Sequence, residues 1–242
     1  MAVYRSFLLL AFACCVLSDG EMLFEPCIKT DLKCLSTATE TFLEKTTNGL
    51  PKFDIKPFDP LIIPELDIVV DEGMGLVFKF KNVNVTGLKN QKVSDFQMDT
   101  YNRSVVLKTK ADLNIVADLK IEFTKKDKVF DGVYTASTTA LGTSYYGYSL
   151  VKKGDQEYFE VGPETNTCEI IGEPNVTLNT DLQNSLDKDA DARELKPGYE
   201  SNKVTLRKKT LCKIVETAYI TVIHNIRASA KIFPKTAFFK DL

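Results

Sequence analysis

The chain has 242 residues, 44% of them hydrophobic and 26% charged, with six Cys, one His and no Trp. It is too apolar for disorder and too poor in Gly and Pro for a fibrous repeat. Its 31 Lys and Arg nearly balance 33 Asp and Glu, which excludes a global basic field for nucleic acid or anionic membranes. A single His excludes a two- or three-His metal site and any His relay.

The first residues read as an address. Arg5 precedes the apolar run Phe7 to Leu17, which is too short to span a bilayer but suits the h-region of a secretory leader. Small residues allow cleavage after Ser18 or Gly20, and Ser18 is preferred. Residues 1–18 are therefore expected to be a signal peptide and 19–242 a single mature domain. Loss of Arg5 leaves 30 Lys and Arg against 33 Asp and Glu, a formal charge of -3. No later stretch reaches the roughly 20 apolar residues of a spanning helix, so a soluble, secreted, extracellular product is expected.

Secretion changes the reading of the cysteines. Cys14 and Cys15 leave with the leader, and Cys27, Cys34, Cys168 and Cys212 remain. Outside the cell an even count implies disulfides, and four cysteines allow three pairings. Cys27 with Cys34 closes a small loop at low entropic cost, which leaves Cys168 with Cys212 across a long one. Zinc would need spacings such as C-x2-C, which are absent, so no metal or other cofactor is expected.

Along the mature chain, Thr30-Asp31-Leu32 opens a predicted helix. Its apolar face is Leu32, Leu35, Thr39, Phe42 and Leu43, and Gly49 stops it. Pro51 to Pro64 holds four prolines and cannot be a central strand for most of its length. Leu76, Phe78 and Phe80 then alternate with Val77, Lys79 and Lys81, and the apolar phase slips to Val83 and Val85, which predicts a bulge near Asn82. Val93 to Asp99 is short and mixed, and 101–104 reads as a turn.

The strongest periodicity follows. Every odd position from Val105 to Phe123 is apolar or small, and most even positions are charged or amide-bearing. Such a half-buried strand would run roughly 60 Å at about 3.3 Å per residue, so it must curl, wrap something or be broken by bulges. Lys125 to Lys128 is a polar turn, and Val129 to Val151 returns. One face of the return carries Ala136, Thr138, Ala140, Gly142 and Ser144, which leave room, followed by Tyr146 and Tyr148.

Tyr158 to Val161 and Val176 to Leu182 are further predicted strands, and Asp187 to Asn202 is a predicted surface loop. From Val204 through Leu211, Ile214, Val215, Ala218, Tyr219, Val222, Ile223 and Ile226, steps of three and four predict a helix of about 30 residues or 45 Å. Pro234 ends it. The expected class is α+β, a long curled antiparallel sheet wrapped around a long C-terminal helix.

Chemistry-bearing motifs are scarce. There is no phosphate-binding glycine loop. Gly142-Thr143-Ser144-Tyr145-Tyr146-Gly147 places its second Gly one residue late for a nucleophile elbow. His224, the sole candidate base for Ser144, lies within the helical pattern. Asp187, Asp189 and Asp191 open like a calcium loop, but Ala192 and Gly198 occupy the positions that need Gly and Glu. Of the sequons at Asn84, Asn102 and Asn175, only Asn102 lies in a predicted turn and is expected to carry glycan.

Several segments resemble the insect juvenile hormone binding proteins, haemolymph carriers of moths related to the takeout proteins. They are Phe24-Glu25-Pro26-Cys27 with Asp31-Leu32-Lys33-Cys34-Leu35, Pro57-Phe58-Asp59-Pro60-Leu61, Thr86 to Gln91, Asp95 to Thr100, Leu107 to Leu113, and His224 to Ile232. The resemblance spans essentially the whole mature chain. It implies a TULIP-like fold with hydrophobic cavities between sheet and helix, and the disulfides Cys27–Cys34 and Cys168–Cys212. It implies a cavity for juvenile hormone, a sesquiterpenoid methyl ester bearing an epoxide. In Tyr146-Gly147-Tyr148, Tyr146 would donate a hydrogen bond to the epoxide oxygen and Tyr148 would line the same cavity. The helix near Asp31 to Thr46 would act as a gate. Read from their position alone, Phe238 and Phe239 either close the cavity or dock the tail, with docking favoured, and Phe238 is kept as a candidate lining residue.

The expected function is thus a secreted, monomeric haemolymph carrier of juvenile hormone or a related hydrophobic small molecule, not an enzyme, with no nucleic-acid partner. The alternatives are a takeout-like carrier of another lipid and, more remotely, an esterase built on Ser144 and His224.

Overall fold

The computed structural model describes Leu23 and residues 25–242; the predicted leader, residues 1–18, lies outside them. The alternating segment forms the strand β4 (Ser104–Phe123), whose odd-numbered residues are almost all buried and whose even-numbered ones face out. It pairs antiparallel along its whole length with β5 (Lys128–Lys153) without a register break. At about 3.3 Å per residue its 20 residues run about 66 Å. A strand of that length resolves by curling, because the accumulated twist lets its apolar face wrap a cylinder.

The cylinder is α3 (Ala190–Ile232), 43 residues and about 65 Å long. It is longer than its apolar pattern indicates. Asp187 to Asn202, expected as a loop, instead completes α2 (Thr180–Lys188) and forms the first turns of α3. The Asp189 side chain caps α3 by accepting from the Ala192 N–H at 3.0 Å, and Lys128 pairs with that carboxylate at 2.9 Å. Ala192, Leu195 and Tyr199 turn inward at helical spacing, while Pro197 and its charged neighbours stay exposed. In the second half Val204, expected on the apolar face, is 39% exposed, and Leu206 and Thr210 take the inward positions.

The remaining strands are β1 (Leu61–Asp71), β2 (Leu76–Thr86), β3 (Lys92–Asp99) and β6 (Gln156–Leu178). The sheet order is β1-β2-β4-β5-β6, with β3 also on β4. β2 pairs with β4 from Asn114 to Phe123, and β3 pairs with its first half from Ser104 to Lys110. The expected bulge is present: register slips between Lys81 and Asn84, and Asn82 has φ 50°. Pro64 sits in β1, and Pro163 and Pro174 in β6, the two outer strands, where a missing N–H costs no ladder bond. β6 fuses the two strand segments expected separately; it ends at Leu178, so Thr180 to Leu182 belong to α2.

The helix α1 (Leu32–Thr46) is capped by Asp31, whose carboxylate accepts from the Cys34 N–H at 3.0 Å. Gly49 follows with φ 77°. Leu32 is 41% exposed, so the inward stripe starts at Leu35 and recruits Ala38. Both disulfides form as paired from the sequence, Cys27–Cys34 and Cys168–Cys212. The second ties β6 to the middle of α3. Among the described residues no helix is long and apolar enough to cross a membrane, and no cluster of metal-binding side chains occurs.

Candidate functional site: a cavity under the first helix

The curved sheet and α3 do not meet everywhere, and a cavity of about 190 Å³ remains near the C-terminal end of α3. Its walls are β3 through Phe96 and Met98, β4 through Val105 and Leu107, β6 through Phe159 and Val161, and α3 through Val222 and Ile226. α1 lies across it. Leu35, Ala38, Thr39, Phe42 and Leu43 line the cavity, the three-and-four spacing of a single helix face. Lys92 on β3 holds the outer side of α1 through Glu40 at 2.6 Å.

The C-terminal tail closes one side. The Cys27 N–H donates to the Phe238 carbonyl at 3.0 Å, and the Lys240 N–H donates to the Cys27 carbonyl at 2.9 Å. This bridge joins the tail to the segment that the Cys27–Cys34 disulfide binds to α1. Phe238 and Phe239 both line the cavity and meet Phe159 edge-on, with centroids 6.1 and 5.9 Å away. Phe238 therefore both docks the tail and walls the cavity.

Tyr146 and Tyr148 line the same cavity, as their shared strand face requires. Tyr146 stands opposite Val105 on β4 and Glu164 on β6. The β6 register slips between Tyr146 and Tyr148, at Gly162 and Pro163. Arg227 of α3 fixes that irregular segment by donating to the Val161 carbonyl at 3.1 Å and the Gly162 carbonyl at 2.8 Å, and it pairs with Glu164. Burial pushes the Tyr146 phenol well above the ordinary tyrosine range, so it is a neutral donor. Its hydroxyl has no partner among the described residues.

The other fully buried polar groups in the wall are paired, with one exception. Thr109 shares a hydrogen bond with Tyr219. The Asn225 amide accepts from the Lys56 N–H and donates to the Lys56 carbonyl, each at 2.9 Å. Ser229 donates to the Asn225 carbonyl. The exception is Gln91, which is 1% exposed and has neither amide atom hydrogen-bonded among the described residues.

Local structure drives Gln91 inward. β4 is covered by β3 up to Lys110 and by β2 from Asn114, and the chain crosses between them at Gly87, a short turn at Leu88–Asn90, and Gln91. Gly87 has φ 103°, and a Cβ there would fall 2.1 Å from the Asp112 carbonyl oxygen. The buried Asp59 carboxylate accepts from the Gly87 N–H at 3.1 Å and the Lys89 N–H at 2.8 Å. The sequence reading did not single out Gln91. The polar run Lys89-Asn90-Gln91 reads as loop, and nothing local marks its last amide as buried.

The Ser144–His224 pairing expected for an esterase is not assembled. Ser144 Oγ donates to Asn166 Oδ1 at 2.7 Å, and His224 Nε2 lies 2.9 Å from the Asp54 carbonyl oxygen. Neither residue lines the cavity. Asn102 lies in the exposed turn after β3, where Asp99 accepts from its backbone and side-chain amides.

The comparisons with known proteins agree with this architecture. The chain is 53% identical over 229 residues to the juvenile hormone-binding protein of Manduca sexta, covering 94% of this chain and all of that protein. The crystal structure of Epiphyas postvittana Takeout 1 shares the fold, with a TM-score of 0.72 over 89% of this chain and 99% of that one, at 15% identity. The family model described as haemolymph juvenile hormone binding protein matches residues 7–147. With more than half of the sequence matched and a relative similar end to end, the chain belongs to the haemolymph juvenile hormone binding protein family.

Proposed function

We propose that this protein is a secreted carrier that holds juvenile hormone in the cavity under α1 and releases it chemically unchanged. The observation that carries the reading is the polar ledger of that cavity: a largely apolar wall in which Tyr146 and Gln91 have no partner among the described residues, in a chain similar end to end to a named hormone-binding protein. A sesquiterpenoid epoxide ester offers apolar surface and two separate acceptors. Tyr146 is assigned to the epoxide, and the Gln91 amide N–H to the ester carbonyl. Tyr148 and Phe238 contribute apolar wall.

Burying roughly 300–400 Å² of hormone is worth about 8–10 kcal/mol gross at ~25 cal/mol per Å², from which association subtracts several. Apolar area sets affinity. The two donors set orientation, because an acceptor left unpaired in the cavity costs about 1–3 kcal/mol. Residues 1–18 are read as the leader removed on export, 19–242 as one domain, and Asn102 as the glycan acceptor.

Labelled hormone should bind the wild-type protein, and Tyr146→Phe should weaken it about fivefold or more, the equivalent of about 1 kcal/mol. An analogue lacking the epoxide should bind both proteins alike. No wild-type binding at micromolar protein would overturn the function; equal loss for both ligands would overturn only the role of Tyr146. Hormone recovered intact after long incubation would separate carriage from hydrolysis. Mass spectrometry of ligand extracted from the native protein would reveal a takeout-like carrier of another lipid.

A further inference from the structure

A second cavity, about 350 Å³, lies at the opposite end of α3. Apolar side chains form much of its wall, including Val70 of β1, Leu76 and Phe78 of β2, and Ile121 of β4. Two hydroxyls in that wall, Tyr134 and Thr210, are buried and make no hydrogen bond among the described residues. Each residue is 1% exposed. Unpaired buried hydroxyls destabilise a fold unless something else satisfies them, so the pair marks a place where a polar group is expected.

Charge identifies that group. Four charged residues line the cavity: Asp187, Lys196, Glu200 and Arg207. Lys196 pairs with Asp187 at 2.8 Å, and Glu200 pairs with Lys203 at 2.7 Å. Arg207 is half-buried, has no ion pair among the described residues, and donates only to the Tyr199 hydroxyl at 3.4 Å. It sits one helical turn before Thr210, so the guanidinium and that hydroxyl share a face of α3. A planar guanidinium lining the same largely apolar chamber as two hydroxyls without partners among the described residues matches a carboxylate, which accepts two guanidinium N–H bonds and further O–H bonds. A phosphate would bring a second negative charge beside Asp187 and Glu200.

We propose that this second cavity is a separate ligand site for an apolar molecule ending in one carboxylate, such as a fatty acid or terpenoid acid. Arg207 receives the acid group, with Tyr134 and Thr210 as hydroxyl donors. The apolar chain lies against β1, β2 and β4. Burial also holds the Tyr134 phenol protonated well beyond the ordinary range, so it remains a donor. The assignment does not depend on what occupies the cavity under α1.

The test uses the full mature chain with cis-parinaric acid and its methyl ester as fluorescent probes. The acid should bind, and Arg207→Met should weaken it at least tenfold while leaving the ester unchanged. Leu206→Trp, which fills the chamber, should abolish the Arg207-dependent component. Tyr134→Phe keeps the ring and should weaken the acid severalfold without lowering the melting temperature. It therefore remains informative if Arg207→Met folds poorly. Absence of acid binding, or acid binding indifferent to both Arg207→Met and Tyr134→Phe, would overturn the proposal.

Discussion

The two ends of α3 solve the same geometric problem differently. At the C-terminal end the cavity is roofed by α1 and the tail, and its buried Thr109, Asn225 and Ser229 are paired while Tyr146 and the buried Gln91 have no partner among the described residues. At the N-terminal end the cavity is larger and includes four charged side chains in its wall. Between them the helix is solid core: Leu211, Ile214, Val215 and Ala218 are fully buried, and Tyr219 is nearly so. Tyr219 lies where Gly142 lacks a side chain; a Cβ on Gly142 would come 2.4 Å from its ring. The curled sheet thus supplies two chambers. The side chains that intrude, rather than the fold, decide what each one accepts.

The largest expected effect comes from releasing the clamp between the chambers. Cys168–Cys212 spans a sequence separation of 44 residues and Cys27–Cys34 one of 7. In the chain-entropy model these correspond to about 4 and about 2.5 kcal/mol. Replacing both Cys168 and Cys212 by Ser should lower urea stability more than replacing Cys27 and Cys34. The first change should loosen both chambers, and the second should affect only the one under α1. Equal losses would mean that the middle of α3 holds to the sheet by packing alone.

The partition itself is tested by Gly142→Ala. The added methyl overlaps the Tyr219 ring and its hydroxyl, which Thr109 holds from the opposite strand. A cost of about 2–3 kcal/mol is expected from overpacking, measured by denaturant titration. A neutral result would show that Tyr219 can swing into one of the chambers, so that the chambers are not independent.

How much of this was legible in the sequence depended on whether one residue's neighbours carry its signal. β4 was readable because burial on one face only is written as strict alternation, from Val105 to Phe123. β6 was not. As an outer strand it tolerates Pro163 and Pro174, and polar residues interrupt the alternation expected of a strand. Its length is set by pairing with β5, not by its own periodicity. The first turns of α3 were hidden for a related reason: only Ala192, Leu195 and Tyr199 face inward there, and charged residues dominate the rest. Tyr146 and Tyr148 were found because a motif names them. Gln91 was not, because a cavity is an absence created by long-range packing, and no local pattern records which polar residue faces it.

A pH series sharpens the contrast between donors that are held neutral and groups in water. The ordinary tyrosine phenol ionises near pH 10. Burial raises that of Tyr146 well above this range, because desolvation penalises the phenolate. Hormone affinity should therefore be flat through pH 10. The sign for folding is opposite in effect: stability from the protonated phenol is complete below about pH 10 and is lost as pH rises beyond it. A fall in affinity between pH 8 and 10 in protein that remains folded would place Tyr146 in contact with water.

The smallest and most specific effect is expected at Gln91. Its buried amide has no partner among the described residues, and removing such a group relieves a desolvation penalty. Gln91→Leu, close in volume, should raise stability of the unliganded protein by about 1 kcal/mol while weakening the methyl ester hormone severalfold. An ether analogue without the carbonyl should bind the variant as well as it binds the wild type. The two readouts move in opposite directions only if the amide is retained for the ligand. If stability and binding fall together, Gln91 is a packing residue whose partners form within the fold. The orientation in the cavity then rests on Tyr146 alone.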